Sequence, residues 1–229
     1  MKHFIFSIAI LGVTGSMSWG SSIWTEGDDG QGDAGGLPGS ANITVGSGVL
    51  TGIIGNLSDE TEGADMYKIY ISDPSTFSAT TIGNGKSPIV NPALFLFNAS
   101  GTGLFADDNI SGANSQASIP AGTLSSLGAG IYYIMIAPSG HLPENGSTLL
   151  FGDITNSTTL TDATSSLIIK KYFDSATAPD PADSGKGYEI VLTGAEFAVP
   201  EPATMALIGL GLAGFAWRSY RNRSRRSRL

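Results

Sequence analysis

In the middle of this chain the apolar residues recur at a spacing of two, and no stretch there carries a capped 3.6-residue pattern. Tyr67, Ile69 and Ile71 alternate with Met66, Lys68 and Tyr70, and Phe77, Ala79 and Thr81 repeat the pattern. Ala93-Leu94-Phe95-Leu96-Phe97 and Ile131-Tyr132-Tyr133-Ile134-Met135-Ile136 are short aromatic and β-branched runs bounded by Pro, Gly, Asn or Ser, the pattern of buried strands. Val49–Ile54, Thr148–Phe151, Leu167–Phe173 and Tyr188–Thr193 extend the series. Turn dipeptides separate the runs: Asn84-Gly85, Ser100-Gly101, Ser139-Gly140 and Asn145-Gly146. About eight short strands with frequent turns predict an all-β body, an antiparallel β-sandwich of jelly-roll-like form, over residues 43–197. Parallel α/β folds lack their helices here. The segment 21–42 holds Ile23, Trp24 and Leu37 among Gly, Asp and Ser, and is expected as a flexible loop.

Charge is divided sharply along the 229 residues. All six arginines (Arg218, Arg221, Arg223, Arg225, Arg226 and Arg228) fall at the C-terminus. Between Ser21 and Val199 the only basic side chains are Lys68, Lys86, Lys170, Lys171 and Lys186, against nineteen acids. A surface this acidic repels phosphate backbones, so the body is not a nucleic-acid binder. The absence of Cys excludes disulfides, thiol catalysis and cysteine-based metal sites.

Both ends read as addresses. Met1-Lys2-His3, an apolar run from Phe4 to Val13, and small residues at Ser18 and Gly20 have the layout of a secretory signal peptide over residues 1–20, to be removed by signal peptidase after Sec-type export. At the other end Pro200-Glu201-Pro202 precedes an uncharged stretch from Ala203 to Trp217, followed by the arginines. Fifteen helical residues cover roughly 22 Å, and interfacial Trp217 and Tyr220 with a snorkelling Arg218 extend that toward a bilayer core of roughly 30 Å. A single transmembrane helix over residues 203–217 with an Arg-rich cytoplasmic tail over 218–229 is expected, leaving the body outside.

Pro200-Glu201-Pro202, the short apolar helix and the Arg tail together resemble the PEP-CTERM sorting signal of Gram-negative bacteria, over residues 198–229. The resemblance implies a transient stay in the inner membrane and recognition by an exosortase, with processing near the motif that releases the body or transfers it to a surface component. It also implies association with the extracellular polysaccharide and biofilm matrix.

The body is similar in the order of its motifs to the bacterial pre-peptidase C-terminal domain, a jelly-roll-like sandwich appended to secreted enzymes. The matching residues are Asp33-Ala34-Gly35, Leu37-Pro38, Gly55-Asn56-Leu57, Asp65-Met66-Tyr67-Lys68-Ile69, Leu94-Phe95-Leu96-Phe97, Gly101, Asp107-Asp108-Asn109 and Gly130-Ile131-Tyr132-Tyr133. The stretch His141–Leu167 is longer than the usual connection and has no evident partners. No peptidase accompanies the domain, so the appended role does not carry over.

Few motifs carry chemistry. Asp107-Asp108-Asn109-Ile110-Ser111-Gly112 has oxygen ligands at positions 1, 3 and 5 and Gly at 6, the first half of a calcium loop. Ser118 stands where the bidentate Glu of an EF-hand belongs. A structural Ca²⁺ on Asp107, Asn109 and Ser111 would need completion by Asp65 or Asp33; the plainer alternative is a solvated acidic turn. Gly209-Leu210-Gly211-Leu212-Ala213-Gly214 spells a dinucleotide fingerprint but follows no strand and lies in the membrane segment. Gly85-Lys86-Ser87 ends like a P-loop, but Thr80 replaces its first Gly. His141 is the one His left after export, and no G-x-S-x-G elbow accompanies it.

Three functions follow as expectations. The first is a non-catalytic protein of the cell surface or extracellular matrix. The second is a carbohydrate-binding module for matrix polysaccharide, with Trp24, Tyr70 and Tyr172 as aromatic platforms. The third is a secreted hydrolase built around His141.

Overall fold

The computed structural model describes residues 22–27, 29–57, 63–83, 89–112, 114–155, 157–174 and 186–200. The signal-peptide segment, the Asn84-Gly85 turn, Glu201, Pro202, the segment 203–217 and the six arginines lie outside the described residues. Those described form strands and turns only, so the all-β expectation for the body holds.

Among the described residues, seventeen strands numbered along the chain form four sheets. One sheet orders β1 (Ser22–Thr25), β4 (Leu50–Asn56), β15 (Gly187–Thr193), β6 (Ser78–Thr80) and β9 (Ser118–Ile119). The largest orders β13 (Thr161–Asp162), β8 (Gly103–Asp107), β7 (Pro92–Asn98), β10 (Gly130–Pro138), β5 (Asp65–Ile71) and β16 (Ala195–Phe197), with β2 (Asn42–Ile43) also on β5. A small sheet joins β12 (Thr148–Leu149), β11 (His141–Asn145) and β14 (Lys171–Asp174), and a two-stranded one joins β17 (Val199–Pro200) to β3 (Val45–Gly46).

The sheets are mixed rather than purely antiparallel. β1 lies parallel to β4, β2 to β5 and β17 to β3. Parallel neighbours need a connection of a dozen or more residues, and each of these pairs is separated by at least that much chain. Hairpin-scale turn signals cannot announce such pairings.

The period-two pattern is realised on β5, β7 and β10. Tyr67, Ile69, Ile71, Leu94, Leu96, Tyr132, Ile134 and Ile136 point to one side, into a core shared with Leu50, Ile53, Phe77, Ala79, Tyr188, Ile190 and Leu192 of the five-stranded sheet. The alternate residues Met66, Phe95, Phe97, Tyr133 and Met135 fill a second core on the opposite face. Both faces of β7 and β10 are therefore covered, which explains why they read as continuous apolar runs.

The second core supplies partners for the long stretch His141–Leu167, which the sequence does not place. Leu142, Leu150, Phe151 and Ile154 from it, with Ile169, cover the outer face of the large sheet. Phe151 seats its ring 5.5 Å from Phe95 and 5.7 Å from Phe97, in tilted and edge-on geometry. Ser100-Gly101, Ser139-Gly140 and Asn145-Gly146 form the expected turns, with their glycines at positive φ.

The segment 21–42 is not a free loop. Trp24 on β1 is 4% exposed and packs edge-on against Tyr67 at 5.5 Å, and Ala34 is equally enclosed. One large apolar ring among polar residues is enough to dock the segment: burying an indole stabilises by a few kcal/mol.

Candidate functional site

Four oxygen-bearing side chains meet where β1, β4, β5 and β15 come together. Glu26 follows β1 directly. Its Oε1 accepts the Ala34 N–H at 2.8 Å and its Oε2 the Asn56 N–H at 2.9 Å, so one carboxylate pins the N-terminal segment to the end of β4. The Tyr67 hydroxyl donates to Glu26 Oε1 at 3.1 Å. The Tyr188 hydroxyl donates to Asp65 Oδ2 at 2.5 Å, and the two phenol oxygens also contact each other. A glycine makes this possible: a Cβ at Gly55 would strike both hydroxyls.

Carboxylate oxygens of Glu26, Asp33 and Asp65 all lie within 4.8 Å of one another. Asp65 is 3% exposed, Glu26 is half-buried and Asp33 is exposed. Burial raises the Glu26 carboxyl above the ordinary glutamate value; the nearby Asp33 charge adds to this, while the N–H groups of Asn56 and Ala34 and the Tyr67 hydroxyl oppose it. Burial also pushes both phenols well up, helped by their charged neighbours, so Tyr67 and Tyr188 stay protonated donors.

The residues expected around a cation separate into two groups. Asp33 and Asp65 are brought together, with Glu26 as the member the sequence did not suggest. Asp107 lies elsewhere: Asp65 pairs with Ile136, Ile136 with Leu94 and Leu94 with Asp107, so the two aspartates sit three strands apart, roughly 14 Å. No single ion reaches both.

Within its own loop the Asp107 set is engaged in hydrogen bonds of its own. Asp107 Oδ2 accepts the Ser118 N–H at 2.7 Å, Asn109 Nδ2 donates to Asp108 Oδ2 at 2.6 Å, and Ser111 is exposed and bridged to Asn114. Burial raises the Asp107 carboxyl, with the Asp108 charge adding and the Ser118 N–H opposing. These bonds close the excursion between β8 and β9, a structural task for side chains that prefer turns anyway.

The aromatic candidates fare unevenly. Trp24 is inside the core and cannot present a face to a sugar. Tyr172 is half-buried against the second core, and Tyr70 is half-buried on β5. His141 is 5% exposed on β11, with its imidazole against Gly63.

Of the sorting motif, Pro200 belongs to β17, in register with Gly46. No curated protein and no solved structure matches the chain. Residues 198–222 do match a family model, that of the PEP-CTERM protein-sorting motif. That motif implies an exported protein handed to an exosortase at the membrane of a Gram-negative bacterium.

Proposed function

We propose that the chain is a non-catalytic protein of the cell surface or extracellular polymer layer, with the acidic all-β body as the delivered part and residues 198–229 as its removable address. The observation that carries this reading is the sorting-motif match at 198–222, which begins directly after β16 and takes in β17. The body's poverty in basic side chains and the enclosure of His141 support a structural over a catalytic role. The two sheets that share the first core are read as a jelly-roll-like β-sandwich of the pre-peptidase C-terminal kind, thickened by the 141–172 cover. A structural Ca²⁺ fits the Glu26, Asp33 and Asp65 carboxylates: oxygens within 4.8 Å of one another suit ligands around one ion at 2.3–2.6 Å. Of the sugar platforms, Trp24 is withdrawn by its burial, which leaves Tyr70 and Tyr172 and weakens that alternative.

Deleting residues 200–229 tests the reading. The shortened protein should no longer accumulate where the full chain does, by fractionation of membrane, surface and medium. An unchanged distribution would overturn the assignment to the surface layer.

A further inference from the structure

The start of the sorting signal is part of the folded body. Thr44, fully buried between β2 and β3, is the clamp. Its N–H and Oγ1 both donate to the Lys68 carbonyl on β5, at 3.2 and 2.9 Å. On its other side Oγ1 accepts the Ala198 N–H at 3.0 Å and its carbonyl accepts the Val199 N–H at 3.1 Å. Just upstream the Phe197 ring lies on Gly46, where a Cβ would stand 2.5 Å from it. β17 then runs in register with Val45–Gly46. Pro200, the first residue of the Pro-Glu-Pro motif, has no N–H to add to the tether. Residues 198–200 are also the first three of the matched signal.

We infer that the body gates its own processing: residues 198–200 must peel from Thr44 and from Val45–Gly46 before the exosortase can take the motif as an extended strand. An enzyme that binds a peptide in extended form claims its backbone polar groups, and the N–H groups of Ala198 and Val199 are already engaged by Thr44. The rate of processing then follows the population of the opened form. This inference rests on the sorting reading above and concerns the regulation of the same signal.

The test uses the full-length chain in cells that carry the sorting machinery, following the tail-bearing and shortened forms by intact mass after a pulse of synthesis. Thr44→Val keeps the shape and removes the hydroxyl, and should speed loss of the tail roughly ten-fold. Thr44 lies 154 residues before Ala198, outside any linear signal the enzyme reads. Thr44→Ser retains the hydroxyl and should process at the wild-type rate. Should Thr44→Val misfold, the opposite variant still decides. Val45→Cys with Val199→Cys places two thiols on registered neighbouring strands, within disulfide reach, in a chain with no other Cys. The bridged chain should keep its tail until a reductant is added. A bridged chain shortened at the wild-type rate, or a folded Thr44→Val chain no faster than wild type, would overturn the gate alone. A wild-type chain that is never shortened would overturn the sorting reading itself.

Discussion

The hydroxyls of Tyr67 and Tyr188, one from each of the two main sheets, touch between Glu26 and Asp65. The row of four groups has three oxygen–oxygen contacts, and two phenols bring two protons. Tyr67 donates to Glu26 and Tyr188 to Asp65, and burial raises the Glu26 carboxyl at one end of the row. Tyr188→Phe removes the donor to a buried carboxylate and one link of the row. It should cost about 2 kcal/mol in urea unfolding, with the slope unchanged. A loss below about 0.5 kcal/mol would show that the row contributes nothing specific.

The raised Glu26 carboxyl has a pH signature. The folded-state value of Glu26 lies above its unfolded one, so the protonated form favours the fold. That contribution is whole below the ordinary glutamate value and is lost as pH rises through the raised value. Glu26→Gln carries no charge at any pH. The stability of wild type relative to this variant should therefore fall as pH rises from acid toward neutral, measured by paired denaturant melts. Taking the difference removes Asp107, whose raised carboxyl shifts both proteins in the same direction. A constant difference across the range would show that folding does not shift the Glu26 carboxyl.

Trp24 is the one tryptophan between residues 21 and 199, and its burial against Tyr67 makes it both an anchor and a reporter. Its emission should be blue-shifted in the folded body and move red at the unfolding midpoint. Trp24→Ala should cost about 3–5 kcal/mol by leaving a cavity between β1 and β5. A cost below about 1 kcal/mol would mean that the N-terminal segment is not docked.

The strands were legible wherever burial imposes a pattern. Tyr67, Ile69 and Ile71 announce β5, and the unbroken apolar runs announce β7 and β10 because both their faces are covered. β1 was not legible, since four residues in a Gly- and Asp-rich stretch have no periodicity, and Trp24 there reads equally well as an exposed sugar platform. Nor were the parallel pairings, which depend on long connections and not on turn residues. At the site, Asp33 and Asp65 stood out by their place in motifs, but Glu26 did not. Its partners Asn56 and Tyr67 are 30 and 41 residues away. Asp107-Asp108-Asn109 carries two readings for a physical reason: the oxygens that make a calcium loop can also satisfy turn backbone, as Asp107 does with the Ser118 N–H.

The split between Asp65 and Asp107 makes the cation question decidable. Three carboxylates within 4.8 Å repel one another, and either a proton or a divalent ion relieves them. Calcium should therefore raise the melting temperature of the body, and more so as pH rises and the competing proton leaves. At about a hundred times the dissociation constant the gain is roughly 2.7 kcal/mol, which for a chain of this size is roughly 5–10 °C. Glu26→Gln and Asp33→Asn should each abolish the shift. Asp107→Asn should lower the starting temperature, because it weakens the bond to Ser118, yet leave the calcium increment intact. A melting temperature indifferent to about 10 mM Ca²⁺, well above what extracellular modules require, would leave the carboxylates as a purely proton-linked brace. An increment lost in Asp107→Asn and kept in Glu26→Gln would move the ion to the β8–β9 loop.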